Sequence, residues 1–141
     1  ARLWLIGDGP ERESLERRIE ALGLGQRVVL LGNRGDVPEH LAGADLFVFP
    51  RLSEGLGLAA VEAQAAGVPT LMASHLPTES VVFPEMVRRL ALELPVEDWV
   101  DAALELRTAE VPSRESRRER MEASPFSIGS NLKVLSNVYA N

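Results

Sequence analysis

Two glutamates, Glu54 and Glu62, stand eight positions apart, with Gly55 and Gly57 between them. Carboxylates accept hydrogen bonds from paired hydroxyls, so this residue type suits a sugar or a ribose and sits poorly against phosphate itself. The glycines let the backbone approach a ligand closely and present its N–H groups. A helix starting at about Gly57 adds a partial positive charge at its N-terminus, which favours a diphosphate. Glu54 precedes that helix and Glu62 lies inside it. Eight residues of helix rise roughly 12 Å, a span that a partly unwound first turn alters, and such a separation could hold one carboxylate near a sugar and the other near a ribose with the diphosphate between them. The alternative is purely structural. A Gly-x-Gly loop is common, and Ala59-Ala60 with Ala65-Ala66 would also serve a helix packed closely on a sheet. Glu62, flanked by Val61 and Ala63, is harder to explain that way.

The elements that must position these residues alternate between short apolar runs and longer helical patterns, the signature of a parallel sheet covered by helices. Strands are expected at Arg2–Ile6, Val28–Leu31, Leu46–Phe49, Pro69–Ala73 and near Arg89–Glu93. The third is wholly apolar and is expected to be central. Pro10 fits the first position of a helix with Leu15, Ile19 and Leu22 as its apolar stripe, stopped by Gly23 and Gly25. Asp36 is placed to cap a short helix reaching Ala42 with Val37 and Leu41 inward. Further helices are expected over Gly57–Ala66, Asp98–Arg107, Ser113–Ala123 and Ile128–Tyr139. The third of these reads as a solvated, charged face, and the last carries Leu132, Leu135 and Tyr139 on one side. The chain reads as one α/β domain, residues 1–141, with the glycine loop leaving the C-terminal end of a buried strand. Open α/β sheets bind their ligands at such a crevice.

Composition narrows the function classes. The 141 residues carry a net charge of −6, no cysteine, and Lys133 as the only lysine among 15 cationic side chains. An acidic chain is a poor binder of nucleic-acid phosphates, and aromatics at 5% leave few stacking platforms. Disulfides, thiolate metal sites and a cysteine nucleophile are excluded together. No run approaches the roughly 20 apolar residues that span a bilayer. His40 and His75 lack partners at ligand spacing, so no metal site is expected. Ser53 and Ser74 lack a positioned histidine, and no Gly-Lys-Ser or Gly-Lys-Thr is present. Asp8 and Asp45 lack the acidic pair and lysine of a phosphoryl-accepting receiver domain.

The order Phe49-Pro50, Ser53-Glu54-Gly55-Leu56-Gly57-Leu58 and Glu62-Ala63-Gln64-Ala65-Ala66-Gly67-Val68-Pro69 resembles the E-x7-E signature of family 4 retaining glycosyltransferases. Gly7-Asp8-Gly9-Pro10 looks like that family's Gly-x-Gly-Pro turn. Leu31-Gly32 with Asp36-Val37-Pro38 resembles its base-contacting stretch, and Ala44–Pro50 its strand into the site. The Glu-Ala-Gln-Ala-Ala-Gly run, Trp99 and Phe126-Ser127-Ile128 resemble the branch that builds bacterial capsular polysaccharides and exopolysaccharides.

The resemblance implies a Rossmann-like parallel sheet flanked by helices, the C-terminal donor domain of a two-domain GT-B enzyme. It assigns Glu54 to the transferred sugar as the catalytic residue. Gly55, Leu56, Gly57 and Leu58 would face the sugar and diphosphate, and Glu62 the ribose hydroxyls. Gly7 falls to the donor site, and Asn33, Arg34 and Val37 to the base pocket. The donor would be a nucleoside diphosphate sugar, with UDP expected as the base. No cofactor and no metal are implied, because helix dipoles and cations would stabilise the departing diphosphate.

The family's Arg and Lys on the first strand-helix unit have no counterpart here, since Lys133 lies in the final helix. The chain is therefore expected to begin at about the second or third strand of the donor domain, N-terminally truncated. The acceptor-binding domain is expected to be missing from it, and the isolated chain is expected to be inactive. A glycan or lipid-linked acceptor would be read by that missing half. The setting implied is cytoplasmic, with the full-length protein peripheral at the inner membrane face and no membrane contact from this chain. A non-catalytic nucleotide-binding or interaction module of the same fold is the rival reading. A nucleotide-sugar epimerase is a third, which the glutamate spacing disfavours.

Overall fold

A computed structural model describes residues 1–139, apart from the side chains at 133–135 and 137–139. The chain divides into two compact units, residues 1–39 and 40–141.

In the first unit, β1 (Leu3–Ile6) and β2 (Val28–Gly32) pair in parallel, joined through α1 (Arg12–Ala21). The register runs Leu3 to Val28 through Leu5 to Leu30, then slips between Leu5 and Ile6, so that Ile6 faces Gly32. Pro10 does not open the helix. It lies in the preceding turn, where the Arg12 N–H donates to the Gly9 carbonyl, and Glu11 occupies the N-cap. The expected stripe is also corrected. Neither β1 nor α1 contains a buried residue, and Leu22 is 60% exposed. Two strands and one ten-residue helix offer too little surface to cover both faces of a parallel pair. The short helix α2 (Val37–Ala42) follows and runs across the boundary between the units.

The second unit holds a three-stranded parallel sheet in the order β3-β4-β5, with β3 at Phe47–Phe49, β4 at Thr70–Ala73 and β5 at Val87–Leu90. The expectation that the Leu46–Phe49 run is central does not hold among the described residues. β4 takes the middle with all four residues buried, while β3 is an edge whose Val48 is half exposed. An apolar run reports the surface a strand can bury, and the number of its neighbours is a separate matter. β5 lies two to three residues ahead of its expected place. It continues directly from a 3-10 turn at Pro84–Met86, with Thr70 opposite Val87 and Ala73 opposite Leu90.

Side chains alternate across a strand, and β4 shows what each face packs against. Met72 joins Phe49, Ala60 of α3 (Leu58–Ala66) and Leu76. Leu71 joins Ala102 and Leu106 of α4 (Val96–Leu106), which lie inward as their helical spacing predicts. Trp99 of α4 packs against both clusters, and its indole N–H donates to the Ala91 carbonyl at 3.2 Å.

Helix α5 (Arg114–Ala123) has Ser113 as its N-cap, accepting the Ser116 N–H at 3.2 Å, and buries no residue, as a charged face should. Two of its arginines nevertheless act in packing. Arg117 donates to the Ala65 carbonyl in the last turn of α3. Its guanidinium carbon lies 2.7 Å from where a Cβ on Gly67 would sit, at a φ of +87°, so glycine is required there on both counts. Arg120 lies 4.4 Å over the Phe83 ring and pairs with Glu85, and that hydrogen bond holds the Glu85 carboxyl below its ordinary range. Helix α6 (Ile128–Tyr139) closes the described chain with Leu132 exposed. The other members of its expected stripe, Leu135 and Tyr139, have side chains outside the described residues.

The β3–α3 loop and its carboxylates

The strand-loop-helix order around the glutamates is as expected. β3 ends at Phe49, the chain crosses residues 50–57, and α3 starts at Leu58. Helix α3 has no side-chain cap at its N-terminus. Gly57 occupies the N-cap in the left-handed conformation, φ +72° and ψ +37°, and its carbonyl accepts the Ala60 N–H at 2.9 Å. Glu54 bends back over this turn, with its Cγ 3.9 Å from the position a Cβ on Gly57 would take. One carboxylate oxygen accepts the Gly55 N–H at 3.0 Å, and the other pairs with Arg51 Nη1 at 3.1 Å. The Arg51 guanidinium in turn lies 5.8 Å from the centre of the Phe49 ring. The Glu54 side chain is 24% exposed, so it is shielded but reachable. Gly55, Leu56 and Leu58 are exposed around it, while Gly57 is buried.

Glu62 lies one turn further along α3, exposed between buried Val61 and Ala63, its side chain making no hydrogen bond or ion pair among the described residues. The apolar flank that singles it out in the sequence is the face of α3 turned to the sheet, and Glu62 points away from it. His75 ties the neighbouring loop to this one, its Nε2–H donating to the Leu52 carbonyl at 2.9 Å. That hydrogen bond joins the loop after β4 to the loop after β3.

Behind the loop sits a residue that sequence reading passes over. Gln64 is fully buried, and every polar atom of its amide is used. Its Nε2 donates to the Ala60 carbonyl at 2.8 Å and to the Ser80 carbonyl at 2.7 Å. Its Oε1 accepts the Val82 and Phe83 N–H groups at 2.9 and 3.0 Å. A primary amide offers two donors and two lone pairs, so its capacity is filled. Ser80 ends a 3-10 turn at Thr78–Ser80, is itself fully buried, and donates through Oγ to the Pro77 carbonyl at 2.8 Å. Its Cβ lies 3.1 Å from where a Gly57 Cβ would be. The signal for Gln64 was its helical spacing from Ala60 and Val61, which places a polar side chain on the buried face of α3.

That contact sets up a stability prediction. Gly57→Ala is expected to cost about 1–2 kcal/mol for the left-handed backbone alone, with Ser80 adding to it. Gly55→Ala meets nothing within 4 Å and has no positive φ, so it should be close to neutral. Denaturant midpoints of the two variants give the comparison, and equal midpoints would refute it.

The remaining candidates lie in the first unit. Gly7, at φ +128°, bridges to Gly32, its N–H donating to the Gly32 carbonyl at 2.8 Å. This brings Gly7 beside the residue that precedes Asn33. Asn33 and Arg34 are exposed, and Val37 is half-buried. The Arg34 guanidinium forks onto Asp36, Nε to Oδ1 at 2.7 Å and Nη2 to Oδ2 at 2.5 Å. That hydrogen bond, reinforced by the opposite charge, raises the Arg34 pKa above its ordinary value. A surface cleft of 390 Å³ lined by Glu85, Glu110, Pro112, Ser116 and Arg120 lies elsewhere in the second unit. Its one cation, Arg120, pairs with Glu85, and the cleft holds none of the candidate residues. No group of three or more metal-ligating side chains exists among the described residues.

Parallel sheets flanked by helices, with a glycine turn and a carboxylate just beyond a strand's C-terminal end, define a Rossmann-like α/β domain. The chain belongs to the glycosyl transferases group 1 family, whose model matches residues 1–123. It is 31% identical over 138 residues to EpsF of Bacillus subtilis (strain 168), named a glycosyltransferase, covering 98% of this chain and 36% of that protein. It is 38% identical over 71 residues to the UDP-Gal:alpha-D-GlcNAc-diphosphoundecaprenol alpha-1,3-galactosyltransferase of Escherichia coli, covering 50% of this chain and 18% of the enzyme. In fold it resembles the crystal structure of HepE of Anabaena in complex with UDP, with a TM-score of 0.71 and 19% identity, covering all of this chain and 41% of that one. The fold is that of the GT-B glycosyltransferases. This chain spans about a third of the length of EpsF and two-fifths of HepE.

Proposed function

We propose that this chain is the donor-binding domain of a retaining glycosyltransferase of the family 4 type, which moves a sugar from a UDP-sugar to a glycan or lipid-linked acceptor. The observation that carries the reading is the β3–α3 loop. It sets a shielded carboxylate, Glu54, against the uncapped N-terminus of α3, with exposed Glu62 a turn further along the same helix. The diphosphate would lie at that N-terminus, where the helix dipole favours an anion. Glu54 would face the transferred sugar and Glu62 the ribose hydroxyls. UDP as the base draws on the UDP bound to HepE and on the UDP-Gal of the E. coli relative's name. In this reading the leaving diphosphate is stabilised by helix and side-chain charge, without a metal. Acceptor recognition, capsular or exopolysaccharide synthesis and a cytoplasmic setting at the membrane face complete the proposal. No described helix is long and apolar enough to cross a membrane.

Calorimetric titration of the full-length protein with UDP, GDP and ADP, with and without magnesium, tests it. Metal-independent binding of UDP alone is the expected result, and no binding of any nucleotide overturns the reading. Glu62→Ala should weaken UDP binding by about 1–3 kcal/mol, the range for a charged hydrogen-bonding partner. Because the Glu62 side chain is exposed and has no partner among the described residues, its loss should leave the melting temperature unchanged. Undiminished affinity removes the ribose assignment.

A further inference from the structure

Gln64 reaches the donor loop through a chain of contacts within one unit. Its amide clamps Ser80, Val82 and Phe83 to the second turn of α3 with hydrogen bonds of 2.7–3.0 Å. Ser80, held at its carbonyl by Gln64 and at its hydroxyl by Pro77, abuts Gly57. Gly57 is the N-cap of α3 and the residue over which Glu54 folds. The 3-10 turn and the glycine loop therefore share one buried wall, and Gln64 is the only side chain among the described residues that bonds both α3 and the segment forming that wall. A leucine or methionine would fill the same volume, yet a buried amide costs free energy unless every bond is made. A fully satisfied buried amide selects one geometry, whereas an apolar side chain tolerates several.

We propose that Gln64 is a positioning residue for the donor site: through Ser80 it fixes the backbone of residues 55–58, and so the N–H groups and the carboxylate that meet the donor. This rests on the donor-site reading above and adds to it the determinant of the loop's geometry. Gln64 touches no substrate and acts only through Ser80 and Gly57. Transition-state and diphosphate contacts are sensitive to placement at the ångström level, so a loosened wall is expected to act on binding and turnover before it acts on folding.

Two variants of the full-length protein test the role, read by hydrogen exchange, UDP titration and sugar transfer. Gln64→Met keeps the volume and removes all four hydrogen bonds. Ser80→Thr keeps the Gln64 bonds and the hydroxyl, and adds one methyl beside Gly57. In Gln64→Met, amide exchange over residues 55–58 should accelerate about tenfold while exchange in α4 stays as in wild type. Both variants should bind UDP about tenfold more weakly at temperatures well below melting, with turnover falling at least as far. A purely structural role would lower the melting temperature and leave the affinity of the folded protein intact. If wild type binds UDP and both folded variants bind it equally well, the positioning role is overturned alone. If wild type itself does not bind UDP, the donor-site reading fails and the role fails with it.

Discussion

Glu54→Ala in the full-length protein is expected to lower turnover by about 10²–10³-fold, the range for removing one group that stabilises a developing charge. UDP affinity should be largely retained. In the proposed reading Glu54 faces the sugar, while the helix N-terminus and Glu62 would meet the nucleotide half of the donor. Its surroundings separate this effect from a folding defect. The carboxylate's partners are the adjacent Gly55 N–H and Arg51, a pair more than half exposed on the arginine side. Such pairs contribute about 0–1 kcal/mol to stability. The variant should therefore melt close to wild type. Glu54→Gln is informative beside it, since it keeps an acceptor for Gly55 and loses the charge. Steady-state transfer from a UDP-sugar together with UDP titration reads both. Normal turnover removes Glu54 from the chemistry, and joint loss of turnover and UDP binding would move it to the nucleotide.

The largest effect on stability is expected at Phe83. Its ring is fully buried, its N–H is held by Gln64, and Arg120 lies over its face. Phe83→Ala should cost about 3–5 kcal/mol, the transfer free energy of the ring plus a cavity that its pinned neighbours cannot collapse. Domains of this size are stable by about 5–15 kcal/mol, so a large share of the margin is lost. Arg120 keeps its bonds to Glu85 and the Val82 carbonyl, which limits the cation–π contribution to a minor part. Denaturant unfolding of the full-length protein measures the loss. A change below about 1 kcal/mol would show that the pocket collapses, contrary to this account.

The order of strands and helices, their parallel arrangement and the glycine loop between two glutamates were all legible in the residues. These follow from local periodicity and from turn chemistry, which neighbouring residues carry by themselves. Ala102 and Leu106, four positions apart on one helix face, lie inward as the repeat of a helix requires, and Ser113 was placed at the head of its helix. Boundaries were less legible. Pro10 fell before its helix, and β5 began at Val87 because the 3-10 turn at Pro84–Met86 feeds directly into it.

What tertiary structure decided was partnership. The apolar run at β3 promised burial, yet β4 is the strand that takes neighbours on both edges among the described residues. The charge-rich α5 read as a solvated surface, yet Arg117 and Arg120 leave it to close the end of α3 and cover Phe83. Glu54 was identified by its motif, but its pairing with Arg51 and its fold over Gly57 depend on a loop conformation that no spacing rule encodes. Gln64 shows the same division. Its position in α3 marks a polar group on a buried face, while its four partners include residues 16 to 19 positions away. The sequence by itself determined which side chains share a helix face or a strand edge, because those follow from the repeat of the backbone. Only the packed chain decided which buried donor meets which acceptor, because that choice is made by groups brought together from distant segments.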